Sequence, residues 1–348
     1  MFELFNHEKK YVFGGYATDS KVRFESTSGG AFSTIADTWC DENYVIFGAE
    51  ADGLNVFHSY VMDKSEIAKF RKSKYSQSAL GTAFSDCRRF LQEGKKVLFS
   101  GTPCQIAGLK MFLNRTHTDT SLLLSVEVVC EGVPTPLYIE KYEDAVLRKY
   151  GSKIKALDYR YTGKSLFGNG KWDFEVMETT LKDTNQKITR DRWFNPFWSI
   201  WLNHLMSRPA CYKCRFAKQE RTADITLGDL WGVHLYCPEL YGKNGGSSLL
   251  VANNAKGAAV IQKAQENMFG HELKFEDALK YQAPMRKHIA SNPDRAHFMQ
   301  DIQSDMTYEQ INRKWAKRAS FSLLWSKYIW GNRQKIAFWN FTHRIQRK

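Results

Sequence analysis

Short apolar runs separated by Gly, Pro and polar turns recur along the chain, and their lengths and periods predict its elements. Val97, Leu98 and Phe99 suit a buried strand, with residues 100–103 punctuated as a turn. After it, apolar positions at Ile106, Leu109, Met111, Phe112 and Leu113 predict a helix over 105–113. A second apolar run, LLLSVEVV at 122–129, leads through a Pro-containing turn at 131–136 into a helix over 137–149. Two strands joined through a helix are read as neighbours in a parallel sheet with a right-handed crossover. Residues 44–47, 54–62, 223–228 and 249–252 are read as further strands. Between 153 and 191 polar and apolar residues alternate, as in an antiparallel hairpin. The aromatic stretch 194–206 is expected to be helical, and helices dominate beyond Lys256. The expected fold is a mixed α/β one: a mostly parallel central sheet with flanking helices, an antiparallel hairpin region and a helical C-terminal extension. Three regions are expected: 1–92, 93–265, and 266–348, the last helical with a basic aromatic tail.

Composition narrows the class. A chain of 348 residues with 43% hydrophobic and 25% charged residues is ordinary for a globular protein with a large core. No apolar run approaches the roughly 18 residues of a membrane span. The start, MFELFNHEKK, shows no apolar segment of a secretory signal, so a cytoplasmic location with reduced thiols is expected. Seven cysteines then suit metal or cluster ligation better than a disulfide framework. The net charge of +13 is uneven: residues 313–348 hold ten cations and no carboxylate, leaving +3 on the rest. The body of the protein therefore lacks the charge of a nucleic-acid binder.

Four cysteines fall in turns: Cys104 in TPCQ, Cys130 in CEGVP, and Cys211 and Cys214 in CYKC. Cys104 follows an apolar strand and a Pro-containing turn and precedes a helix, and Cys130 follows an apolar strand and precedes a Pro-containing turn and a helix. Parallel neighbouring strands would bring both to the sheet edge where open α/β folds hold ligands. Four thiolates suit zinc or an iron–sulfur cluster. Cys104 and Cys130 as small buried residues, or the CxxC as a redox dithiol or zinc knuckle, fit the spacing equally well. Two loops carry weaker signals. Ser26, Thr27, Ser28, Gly29 and Gly30 form a Ser/Gly turn before a helix, suited to a phosphate or to plain capping. Residues 71–78, RKSKYSQS, read as a solvated loop or as a clamp for an anion.

The motifs together resemble the beta-subunit family of coenzyme F420-reducing hydrogenases and dehydrogenases. The matching stretches are GTPCQIAGLK at 101–110, CEGVPTP at 130–136, RPACYKCRFA at 208–217, RTADITLGDLWG at 221–232 and NGGSSLLVANNAKG at 244–257. STSGG at 26–30 and KYSQS at 74–78 match more weakly. The resemblance spans about residues 10 to 260, in family order. It implies FAD beside a [4Fe–4S] cluster, with Cys104, Cys130, Cys211 and Cys214 as cluster ligands. It implies flavin contacts from the Ser/Gly loop and from Lys74, Tyr75, Ser76 and Gln77. Thr102 and Gln105, beside the ligand cysteine, are expected at the flavin or the cluster, and Asp229 at the edge of the site.

Two departures bear on function. Many relatives carry an N-terminal ferredoxin-like segment with CxxCxxCxxxCP runs, and none is found here. Electrons are therefore expected from a separate donor: a ferredoxin, a flavodoxin or a reduced pyridine nucleotide. Glu131 stands where relatives commonly have His, so Glu127 and Glu131 are the candidate acid/base groups. The tail interleaves its cations with Trp315, Trp325, Trp330, Trp339, Phe321, Phe338 and Phe341. That composition suits an interfacial helix on an anionic membrane, a docking surface for an acidic donor, or a helix packed on the body. The expected function is an iron–sulfur flavoprotein oxidoreductase reducing a small or sugar-linked substrate in surface-polysaccharide assembly. The alternative is a membrane-peripheral transferase or binding protein of such a pathway that keeps the fold without redox activity.

Overall fold

The computed structural model describes residues 10–161, 176–190, 196–241, 245–318, 320–325, 337 and 341–342. Among these residues eleven strands form: β1 (Val12–Ala17), β2 (Tyr44–Asp52), β3 (Asn55–Val61), β4 (Lys96–Gly101), β5 (Leu123–Val128), β6 (Ile154–Asp158), β7 (Met177–Leu181), β8 (Lys187–Arg190), β9 (Ile225–Asp229), β10 (Ser248–Ala252) and β11 (Met268–Glu272). Eight of them build one sheet in the order β11-β1-β10-β9-β5-β4-β2-β3, and β6, β7 and β8 form a separate antiparallel sheet. At the centre of the large sheet β2, β4, β5 and β9 run parallel. Antiparallel strands close both flanks. This is the expected mixed α/β fold, drawn from every part of the chain between Val12 and Glu272.

The central strands read as unbroken apolar runs because both faces of the sheet are covered. Alternate side chains serve opposite layers. Ile46 and Leu98 pack towards the helices Ala31–Trp39 and Ala255–Ala264, through Ile35, Ala36, Val260 and Ile261. Val45, Phe47, Val97 and Phe99 pack towards the helices Ala83–Gln92 and Pro103–Arg115, through Phe90, Leu91, Ile106 and Leu109. A third core lies under the small sheet, where Met177 meets Tyr138, Ile139, Phe197, Trp198 and Trp201.

Three elements differ from the sequence expectation. Strands β1 and β11 carry Gly14, Gly15 and Gly270, which in sequence interrupt an apolar run. They are strands whose backbones approach too closely for side chains: a Cβ on Gly270 would stand 2.2 Å from the Gly14 carbonyl oxygen. Of the helix expected over 194–206, residues 194–195 lie outside the described residues, and among 196–206 the α-helix is Phe197–Trp201; His204 takes a left-handed φ of 55°. Among the described residues no helix is long and apolar enough to cross a membrane. Most of the aromatic tail lies outside the described residues; Phe321, Trp325 and Phe341 within it are exposed.

Candidate functional site

The topology places the predicted residues along one edge. The four parallel strands end at the same side, so Cys104 after β4, Cys130 after β5 and Asp229 at the end of β9 share it. β10 runs the other way and begins there, with Ser248 opposite Asp229. β1 ends there as well, and its Ala17 N–H donates to the Gly29 carbonyl at 2.7 Å, which brings in the Ser/Gly loop.

Cys104 lies exposed in the first turn of the helix Pro103–Arg115, entered from extended backbone at Thr102 and started by Pro103. The Cys130 loop is paired with the segment before the CxxC: Thr135 N–H donates to Met206 O at 2.7 Å and Arg208 N–H to Val133 O at 2.8 Å. This clamp holds the short 3-10 turn Pro209–Lys213, which carries Cys211, against Cys130. Gly132 has φ of +108°. In that conformation its N–H donates to Cys130 Sγ at 3.4 Å, while the next N–H, of Val133, donates to Cys211 Sγ. A Cβ on Gly132 would stand 3.2 Å from Cys211 Cβ, so the position favours glycine twice over. Consecutive backbone N–H groups aimed at sulfur form an anion-binding nest. Burial pushes the Cys130 thiol up to about 12, and Cys104, Cys211 and Cys214 each act on it electrostatically in the same direction. Burial also raises the Cys211 thiol, against the Val133 N–H, which lowers it.

The structure thus brings together the four cysteines singled out in the sequence. Among the described residues no three His, Cys, Asp or Glu are gathered as tightly as a single ion requires. A cluster several atoms across is ligated by thiolates standing further apart, and hydrogen bonds to its sulfurs tune it. An all-sulfur donor set with two N–H groups on its sulfurs fits that group.

A buried hydrogen-bond chain runs to Cys104 from a residue the sequence motifs do not include. His58, on β3, meets the Ser100 carbonyl through Nε2 at 2.9 Å. A carbonyl only accepts, so Nε2 carries the proton and Nδ1 accepts from the Ser78 hydroxyl at 2.8 Å. Ser78 Oγ in turn accepts from Gln105 Nε2 at 2.9 Å. That leaves Gln105 Oε1 to accept the Thr102 N–H at 2.9 Å and its hydroxyl at 3.0 Å, and Thr102 Oγ1 lies 3.2 Å from Cys104 Sγ. Burial lowers the His58 pKa, in keeping with a neutral ring. A histidine within a short strand of mixed polarity is a weak signal, and its partners are 20 and 42 residues away.

The two flavin-directed segments meet. Thr27 Oγ1 accepts the Ser73 N–H at 2.8 Å, and Arg71 Nε donates to Ser33 Oγ at 3.0 Å in the first turn of the helix Ala31–Trp39. That helix has no side-chain cap at Gly30, whose φ of 82° swings the chain into it. Lys74 Nζ donates to Arg71 O at 2.7 Å and Lys69 O at 3.1 Å, and burial lowers its pKa to about 8. An uncapped helix N-terminus beside Arg71 and Lys74 fits a phosphate. Other loop residues have protein partners: Ser26 Oγ donates to Val22 O, Ser28 Oγ to Ser247 O, and Gly29 N–H to Ser248 Oγ. Tyr75 sits edge-on to Trp198 with ring centroids 4.9 Å apart. Ser76 bonds to Tyr159, and Gln77 accepts from Arg208 at 2.5 Å.

Glu127 is fully buried in β5, and three donors hold it: Arg221 Nε, Thr226 Oγ1 at 3.0 Å and Thr222 Oγ1 at 3.1 Å. Glu131 lies at the cysteine loop, where burial raises its carboxyl pKa. Asp229 pairs with Arg160 at 2.7 Å, and Arg160 also bonds Tyr75. Arg160 lies in the hairpin region and carries no motif, so only the folded chain reveals its role.

An α/β sheet with Cys104 and Cys130 at its C-terminal edge, and the CxxC turn clamped against them, defines an α/β protein with a candidate thiolate site. The chain belongs to the coenzyme F420 hydrogenase/dehydrogenase family: the model for the C terminus of that family's beta subunit matches residues 94–277. It shares its fold with a chain of the F420-reducing [NiFe] hydrogenase complex from Methanosarcina barkeri, solved after xenon derivatisation. The TM-score is 0.51 at 14% identity, covering 82% of this chain and 97% of that one. No curated protein matches the chain.

Proposed function

We propose that the protein is an iron–sulfur flavoprotein oxidoreductase that takes electrons from an external donor and reduces a small, sugar-linked substrate in surface-polysaccharide assembly. The observation that carries this is the convergence of Cys104, Cys130, Cys211 and Cys214 with the Gly132 and Val133 N–H groups directed at two of the sulfurs. The four thiols would hold a [4Fe–4S] cluster; the helix N-terminus behind Gly30, with Arg71 and Lys74, would hold the flavin phosphates. When bound, these groups supply one-electron and hydride transfer. The chain supplies the rest. The Gly132 loop keeps donors on the sulfurs without rearrangement, and Thr102, whose hydroxyl proton goes to Gln105 Oε1, stands beside Cys104 Sγ. Glu131, whose carboxyl holds its proton to a higher pH than usual, stands at the cysteine loop as the proton source for the substrate. Glu127 has its acceptors filled by Arg221 and two threonines and acts by positioning β5.

The test is anaerobic reconstitution with iron, sulfide and FAD, followed by metal and flavin analysis. Near-stoichiometric iron and flavin are expected, with iron lost in Cys214→Ser. Full iron retention in Cys214→Ser would overturn the four-thiolate site.

A further inference from the structure

Away from the cysteine edge the small sheet and two helices enclose a cleft of about 440 Å³. Its walls are the C-terminal half of the helix Pro136–Tyr150, the strand β8, and the helix Tyr308–Trp315 with the turn after it. Five cations line it: Lys149, Arg190, Arg313, Lys317 and Arg318. The carboxylate in its wall, Glu309, is already paired with Arg148 at 3.2 Å. Among the described residues none of the five cations makes an ion pair with a carboxylate, whereas their neighbour Lys314 pairs with Asp301 at 2.6 Å. Cations in a last helical turn complement the helix dipole, which accounts for Lys149 and Arg313. It does not account for Arg190 on a strand, nor for Lys317 and Arg318 beyond the helix. Like charges converging on one concavity repel, and an anion relieves that repulsion.

We infer that this cleft binds a nucleoside diphosphate. Three arginines offer the planar forks that grip phosphate oxygens. The rings of Tyr142 and Tyr308, with centroids 5.1 Å apart, and that of Tyr150 offer an aromatic wall for a base. The volume lies in the range of small-molecule sites and exceeds what inorganic phosphate fills. The cleft is distinct from the proposed flavin site: neither the cysteine loops nor residues 26–30 or 71–78 line it.

The test is calorimetric titration of the full chain, without added flavin or iron, with UDP, ADP, inorganic phosphate and uridine. Saturable one-site binding is expected for a diphosphate, at least tenfold tighter than for phosphate or uridine. Arg190→Gln and Arg313→Gln should each weaken it about tenfold, with the thermal unfolding midpoint unchanged and the distant surface variant Lys263→Gln binding as the parent does. Absence of saturable binding by either diphosphate would overturn the inference. So would equal weakening in Lys263→Gln, or displacement of the diphosphate by FAD, which would place the flavin here. Because the titration needs neither cofactor, its failure leaves the cluster assignment standing, and loss of iron in Cys214→Ser leaves the cleft untouched.

Discussion

Gly132 shows how much of the site depends on a single missing side chain. Its φ of +108° turns two successive N–H groups onto sulfur, and the Cys211 side chain lies where a Cβ would project. Gly132→Ala should therefore strain the loop by about 1–3 kcal/mol and lose iron although every cysteine remains. Iron per chain after anaerobic reconstitution checks this. Lys74 provides a second test at this scale. Burial holds its pKa at about 8 in the folded protein against the usual 10.5. Below about 8 both folded and unfolded chains carry the proton, and the full cost of burying the charge is present. As pH rises from 8 towards 10.5 the folded chain releases the proton first, so stability rises. Flavin-free protein should gain on the order of 2 kcal/mol in unfolding free energy across that interval relative to Lys74→Met, measured by urea unfolding at each pH.

Among elements, the helix Pro103–Arg115 is tied to its sheet by more than apolar packing. Gln105 links its first turn to Ser78 and, through it, to His58 on β3. The direction of every donor follows from the Ser100 carbonyl, which can only accept. Gln105→Met removes one acceptor and one donor at once, leaving the Thr102 N–H and the Ser78 hydroxyl short of a partner. A loss of about 1–3 kcal/mol is expected by urea denaturation. Ser78→Ala should cost less, because it strands His58 Nδ1 and Gln105 Nε2 while both the Thr102 N–H and its hydroxyl stay bonded to Gln105. Equal losses in the two variants would show that the chain does not act in that order. The Cys130 loop and the 3-10 turn Pro209–Lys213 form a similar pair, clamped by backbone bonds that any sequence could make, with specificity left to Gly132 and the cysteines.

At the scale of the whole molecule, an ion pair joins the two sheets near the site. Arg160 follows β6 of the small sheet, Asp229 ends β9 of the large one, and both are well buried. Breaking such a pair strands a charge, so Asp229→Ala should destabilise by about 3 kcal/mol, while Arg160→Met combined with Asp229→Ala should recover part of that loss. Chemical unfolding of the single and double variants measures it. The pair also reaches Tyr75, so the same substitution is expected to loosen the 71–78 segment and lower flavin content.

The sequence alone determined the central strands and the strand–turn–helix units that carry Cys104 and Cys130, and it marked the four cysteines that fall in turns. Those features are local: apolar period, Pro and Gly punctuation and short motif spacing are written within a few residues of one another. Tertiary structure decided what depends on distant partners. β1 and β11 were hidden because their glycines signal turns in sequence and close backbone approach in space. His58 and Arg160 carry no motif, and their roles exist only because a strand or hairpin places them against residues 20 to 69 positions away. Glu127 looked like a free acid in sequence, and the fold surrounds it with Arg221, Thr222 and Thr226. A carboxylate's chemistry is set by the donors it meets, and those arrive from β9 and the segment before it, almost a hundred residues along the chain.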